Sequence, residues 1–88
     1  MTPYPINVPR DLYSGRDPAR KRKAQRFNDL ADRLEKYINA EMKRAPAGSR
    51  MFSYGMIALD LKLSEAEVEN VLYGVDAGGN ALTVWKRD

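Results

Sequence analysis

Residues 54–73 read YGMIALDLKLSEAEVENVLY, and this stretch decides the fold. Ser53, just before it, is a good helix cap, and Met56, Ile57, Leu59 and Leu61 are the expected buried positions of a short helix that ends at Leu61. Lys62 and Leu63 leave room only for a tight turn. Ser64 then opens a second helix with Glu67 three residues on. In that capping box the hydroxyl accepts from an orphan amide at the helix start and the carboxylate reaches back to the amide of the cap. Val68, Val71, Leu72 and Val75 continue at helical spacing. Two short helices joined by so brief a turn cross steeply, and Ala58 supplies the small side chain where they approach.

Upstream, the pattern predicts one long helix. Asp17 is a favoured N-cap, and Pro18 suits the first helical position because its missing amide is an orphan there in any case. Ala24, Phe27, Leu30, Ala31, Leu34, Tyr37 and Ile38 recur every three or four residues and form one stripe. Asp29 with Arg33, and Asp32 with Lys36, are i,i+4 pairs on the wet side. Ala45 to Ser49, with Pro46 and Gly48, is expected to end the helix as a loop, and Met51–Phe52 to form a very short strand.

The two ends are of different character. Pro3, Pro5 and Pro9 favour extended backbone over residues 1–16, with Tyr4, Ile6 and Val8 alternating along one side. At the other end Gly78, Gly79 and Asn80 read as a turn with positive φ, leading into a strand over Ala81 to Lys86 with Leu82 and Val84 on one face. Gly74 to Ala77 leaves space for only a short partner strand, and pairing with Met51–Phe52 completes a small sheet.

On Ile57-Ala58, Leu61, Leu63, Val68 and Val71, the stretch from Tyr54 to Tyr73 resembles a helix-turn-helix motif. Taken with the order long helix, short strand, helix, turn, helix, glycine hairpin, residues 17–87 resemble the winged helix-turn-helix superfamily. The resemblance implies a mainly α fold with a small β component: a three-helix domain over residues 17–88 with a C-terminal hairpin, preceded by an extended, flexible basic arm over 1–16. Two features depart from the pattern. Lys62 stands where that turn usually has Gly, and a left-handed non-glycine residue costs about 1–2 kcal/mol, so the turn is expected to be built differently. The second helix of the motif, which in DNA-binding relatives enters the major groove, here exposes Glu65, Ala66, Glu69, Asn70 and Tyr73. Its carboxylates, Glu67 among them, have no local cation in the sequence.

Charge supplies the functional expectation. The chain of 88 residues carries a net +3, with twelve basic and six acidic groups in residues 1–50 and three basic and six acidic in residues 51–88. Such asymmetry speaks of partners and not of fold. Arg20, Lys21, Arg22, Lys23 and Arg26 crowd the start of the long helix, where cations oppose the macrodipole, so an anionic partner explains them better than local stability does. The expected function is nucleic-acid binding, with duplex DNA the partner, in a transcription-regulating or accessory role. The candidate DNA-binding residues are Arg10, Arg16, Arg20, Lys21, Arg22, Lys23 and Arg26, with Lys86 and Arg87 at the far end, and Asn70 and Tyr73 as base readers. The rival expectation is a protein-interaction adaptor that offers Glu65 and Glu69 to a basic partner; a solvated charged face is the plainest reading of the basic block. The long helix's stripe is read first as core and second as a homodimer contact.

Enzymatic readings find little support. The chain contains no Cys and no His, which removes disulfides, thiolate nucleophiles and His-ligated metals. Glu65, Glu67 and Glu69 fan around a helix instead of converging, Gly78-Gly79 lacks the Lys and Ser/Thr of a phosphate loop, and Ser53, Tyr54 and Tyr73 have no activating base. Trp85 reads as a packing residue. No cofactor, no metal and no membrane contact are expected, and the location expected is cytoplasmic.

Overall fold

A computed structural model describes residues 1–76 and 79–88. In chain order the elements are β1 (Thr2–Pro3), α1 (Pro18–Arg44), β2 (Gly48–Ser53), α2 (Tyr54–Leu61), α3 (Glu65–Leu72) and β3 (Ala81–Lys86). Three helices, about half of the chain, thus accompany one small three-stranded sheet of order β1-β3-β2. The molecule measures 46 × 23 × 22 Å, its length set by α1.

The helices start where the sequence places their caps. Asp17 accepts from Ala19 N with Pro18 behind it, Ser53 from Met56 N, and Ser64 from Glu67 N with the reciprocal bond from Ser64 N to the Glu67 carboxylate. The stripe of α1 is core: Ala24, Leu30, Ala31, Leu34 and Ile38 are buried, as is Met42 one turn further on, while Phe27 and Tyr37 flank the core. Ile57, Ala58, Val68, Val71 and Leu72 close on it from α2 and α3, and Leu82 and Val84 from β3.

Four expectations change. First, Met56 and Leu59 are exposed (59% and 76%), because Tyr54, Ile57 and Ala58 take the inward face of α2. A helix apolar on every side does not announce which side it buries. Second, Lys62 does adopt the left-handed conformation (φ 57°, ψ 48°). The bonds Lys62 N–H to Leu59 O and Leu63 N–H to Ala58 O form a Schellman closure, which satisfies carbonyls that the end of α2 would otherwise leave open. Third, among the described residues no local hairpin precedes β3. Gly74 to Asp76 are occupied in closing α3, with Val75 and Asp76 both donating to Leu72 O; β3 pairs instead with Met51–Phe52, as expected, within the longer β2, and with β1. Gly78 of the expected turn lies outside the described residues; Gly79 and Asn80 form a bend without positive φ. Fourth, β2 begins at Gly48, in what reads as loop, and runs antiparallel to β3 from Gly48↔Lys86 to Ser53↔Ala81.

The arm is a strap. Thr2 and Pro3 lie parallel to Val84 and Trp85, and Ile6 and Val8 are buried in the core. One face of α1 reads the arm's main chain through side chains. Asn39 accepts from Ile6 N and donates to Ile6 O, Glu35 accepts from Val8 N, and Asn28 accepts from Asp11 N and donates to Asp11 O. Residues 28, 35 and 39 share a helix face, so α1 stands in for the strand that a proline-rich segment cannot pair with.

Candidate nucleic-acid interface

The cations singled out from the sequence divide into two sets. Four are engaged internally. Arg10 bonds Val8 O and lies 3.4 Å from Glu35 and 3.7 Å from Asp32. Arg20 clasps Asp11 at 2.8 and 3.0 Å and lies over the Tyr13 ring. Arg26 meets Glu67 of α3 at 2.6 Å. Lys86 donates to the carbonyls of Met42, Lys43 and Ala45 at 2.9–3.1 Å. There its ammonium neutralises the negative end of α1 and satisfies carbonyls that a helix end leaves open.

Arg16, Lys21, Arg22, Lys23 and Arg87 form the second set. They are exposed, and among the described residues none has a carboxylate within ion-pair distance. Arg16 precedes the N-cap of α1, and Lys21 to Lys23 follow within its first turns, whose own residues include no acidic one, while Asp17 caps them and Asp11 lies against Arg20. The positive end of the helix and these side chains therefore add to one field. Arg87 follows Lys86 at the opposite end of α1, roughly 30 Å away at 1.5 Å per residue, and does not belong to that patch.

α3 lies beside the basic end. Lys23 and Arg26 of α1 border a cleft of about 160 Å³ together with Glu67 and Asn70 of α3, with Phe27 and Val71 among its apolar walls. Asn70 also belongs to a shallow hollow on the outer face of α3, with Ala66, Glu69 and Tyr73. Their spacing of three and four places them on one side, and Tyr73 is 64% exposed. Asn70 is thus the side chain shared by the basic end of α1 and the outer face of α3. Glu65 and Glu69 on that helix are exposed and, among the described residues, form no ion pair.

The ion pairs leave electrostatic marks. The Arg26 guanidinium holds the Glu67 carboxyl below the usual carboxylate range, aided by the Ser64 amide. Arg20 does the same to Asp11, and Arg44, then Arg50, to Glu41. Glu67 therefore has a local cation after all, on a helix 41 residues away in sequence. No local pattern signals that pairing; only the packing of α3 on α1 creates it.

A further cleft, about 420 Å³, lies at the other end between α1, β2 and α2. Tyr37, Glu41, Arg50, Met51, Met56 and Asp60 line it, and Tyr37 donates to Asp60, which pushes the phenol up to about 12. Sequence reading passes over this cleft, since Tyr37 and Asp60 are 23 residues apart.

No family model matches the sequence, and neither a curated protein nor a solved structure matches the chain. Among the described residues no three His, Cys, Asp or Glu side chains gather in a metal-holding group, and no helix is long and apolar enough to cross a membrane.

Proposed function

We propose that this chain is a nucleic-acid-binding module on a winged-helix-like scaffold, which grips the backbone of duplex DNA with Arg16, Lys21, Arg22 and Lys23. One observation carries the reading: these four cations crowd the positive end of α1, exposed and without internal carboxylate partners, while their neighbours Arg10, Arg20 and Arg26 are each engaged within the fold. Local stability disfavours cations there, and phosphate oxygens reward them. In this reading Asn70, beside Lys23, and Tyr73 face the bases or the groove wall. Asn pairs with adenine through its two amide atoms. Arg10, Arg20 and Arg26 hold the arm and α3 in place, and Lys86 is a helix cap. Glu65 and Glu69 limit how deeply α3 enters a groove, so affinity comes from the backbone and depends strongly on salt.

Fluorescence anisotropy of a labelled random-sequence duplex, titrated across a salt series, tests the reading. Three to five phosphate contacts give a log–log slope of about −3 to −5. Absence of binding at low salt by the folded protein overturns it.

The acidic outer face of α3 supports a second reading, a protein-interaction module that presents unpaired Glu65 and Glu69 to a basic partner. It predicts no DNA affinity at physiological salt and a partner lost in the E65K/E69K variant.

A further inference from the structure

The two edges of the sheet are unequally protected. On one side β1 is two residues long, includes Pro3 and is followed by Pro5, a combination that blunts an edge. On the other, β2 runs six residues without a proline, and Met51 projects from it 66% exposed. The bonding pattern shows what that edge offers. Tyr54 N–H bonds to Asn80 O and continues the β2–β3 ladder, so Phe52, Arg50 and Gly48, two apart, are the residues that bond to β3. The N–H groups of Ser49, Met51 and Ser53 therefore point to the open side, as do the carbonyls of Ser49 and Met51. The same alternation holds across β3, where Trp85 O accepts from Tyr4 on the β1 side.

We propose that the open edge of β2 pairs antiparallel with β2 of a second copy of this chain, Met51 opposite Met51 on the two-fold axis. In that register the two Met51 residues exchange their main-chain bonds, and on either side a Ser53 N–H meets a Ser49 carbonyl. Arg50 of each copy then stands opposite Phe52 of the other. Arg50 already lies over its own Phe52 ring at 4.8 Å, so the pairing extends an arrangement present within the chain. The alternative register, which sets Ser49 opposite Met51, places Arg50 against Arg50 and is disfavoured by like charge. Charge favours the same solution. The cleft along residues 50–53 contains Asp60, which has no ion-pair partner among the described residues, and Glu41, already held by Arg44 and Arg50. An incoming Arg50 supplies the missing cation, and the 420 Å³ of open space accommodates it. The proposal is independent of DNA binding, since β2 lies at the far end of α1 from Lys21–Lys23.

Sedimentation equilibrium of the intact protein decides it. One strand pair is a small contact, so dissociation is expected at about 0.1–1 mM. The weight-average mass should rise from 10.0 kDa at micromolar concentration toward twice that value at millimolar. Met51→Pro removes an outward N–H and leaves the ladder to β3 intact, so it should remain monomeric with an unchanged circular dichroism spectrum. Should that variant fail to fold, Met51→Lys decides instead: two ammonium groups facing each other at the axis should weaken association several-fold. A mass that stays at 10.0 kDa at millimolar concentration overturns the proposal. So does association that the folded proline variant, or the lysine variant in its place, leaves unchanged; it then belongs to another surface.

Discussion

The two ends of α1 handle positive charge in opposite ways. At the C-terminal end Arg44 and Arg50 share Glu41, and Lys86 reaches across from β3 to three carbonyls of the last turn and its cap. Every one of these contacts agrees with the helix dipole or with a carboxylate. At the N-terminal end Lys21, Arg22 and Lys23 stand together with no acidic residue in the first turn. The comparison separates cations that the fold uses from cations that the fold merely tolerates. Only the second kind calls for a partner outside the chain.

The sharpest way to break that distinction is to neutralise the tolerated set. Changing Arg16, Lys21, Arg22 and Lys23 together to Gln should lower affinity for a random duplex at low salt by about 100-fold and bring the salt slope toward zero, since each phosphate contact contributes roughly −0.9. The thermal midpoint should hold or rise. If the midpoint collapses instead, those residues are structural and the distinction fails.

The opposite outcome is expected at the other end. Lys86→Met leaves the Lys43 and Ala45 carbonyls without this donor, Met42 O keeping the Ala45 amide, and should cost about 1–3 kcal/mol. For a domain of this size that lowers the midpoint by roughly 5–15 °C, with DNA affinity unchanged. A smaller effect of opposite sign should follow from Lys21→Glu, which repairs the dipole at the N-terminal end and adds about 0.3–1 kcal/mol at low ionic strength.

Titration sharpens the comparison further. Asp11, Glu41 and Glu67 are all held below the ordinary carboxylate range by arginines, so their stabilisation is present at neutral pH and is lost as pH falls through their folded-state values. Thermal midpoints measured from pH 6 to pH 2 should therefore decline, less steeply in Arg26→Gln, where Glu67 has lost its main cause of shift. Tyr37 shows the converse. Its phenol is raised from 10.0 to about 12, so its contribution is complete below pH 10 and is lost as pH climbs to about 12. Tyr37→Phe should flatten the alkaline side of the profile alone.

Much of the framework is legible because its signals are local. Asp17-Pro18 and the Ser64–Glu67 box act over three residues, and the stripe from Ala24 to Ile38 is a simple period. The strand at Ala81–Lys86 and the inward faces of Ile6 and Val8 follow from alternation. What is not legible depends on partners far along the chain. Gly48 and Ser49 look like loop until β3 offers them a ladder. Lys62 looks unsuited to a left-handed turn until the Schellman bonds of α2 are counted. The candidate interface shows the same limit. The basic block is visible as composition, but whether Arg20 or Lys21 is free depends on where Asp11 falls once the arm is strapped down.

That strap has a consequence in time. Thr2 and Pro3 leave the ribosome about eighty residues ahead of their partners Val84 and Trp85. Closing a loop of that span is entropically costly, although the cost grows only with the logarithm of its length. Until Ala81–Lys86 emerge, Ile6 and Val8 have α1 but no completed sheet to settle against, so the arm waits for β3. The core therefore closes only after β3 has emerged, and nascent chains halted before residue 84 should leave the arm open to protease.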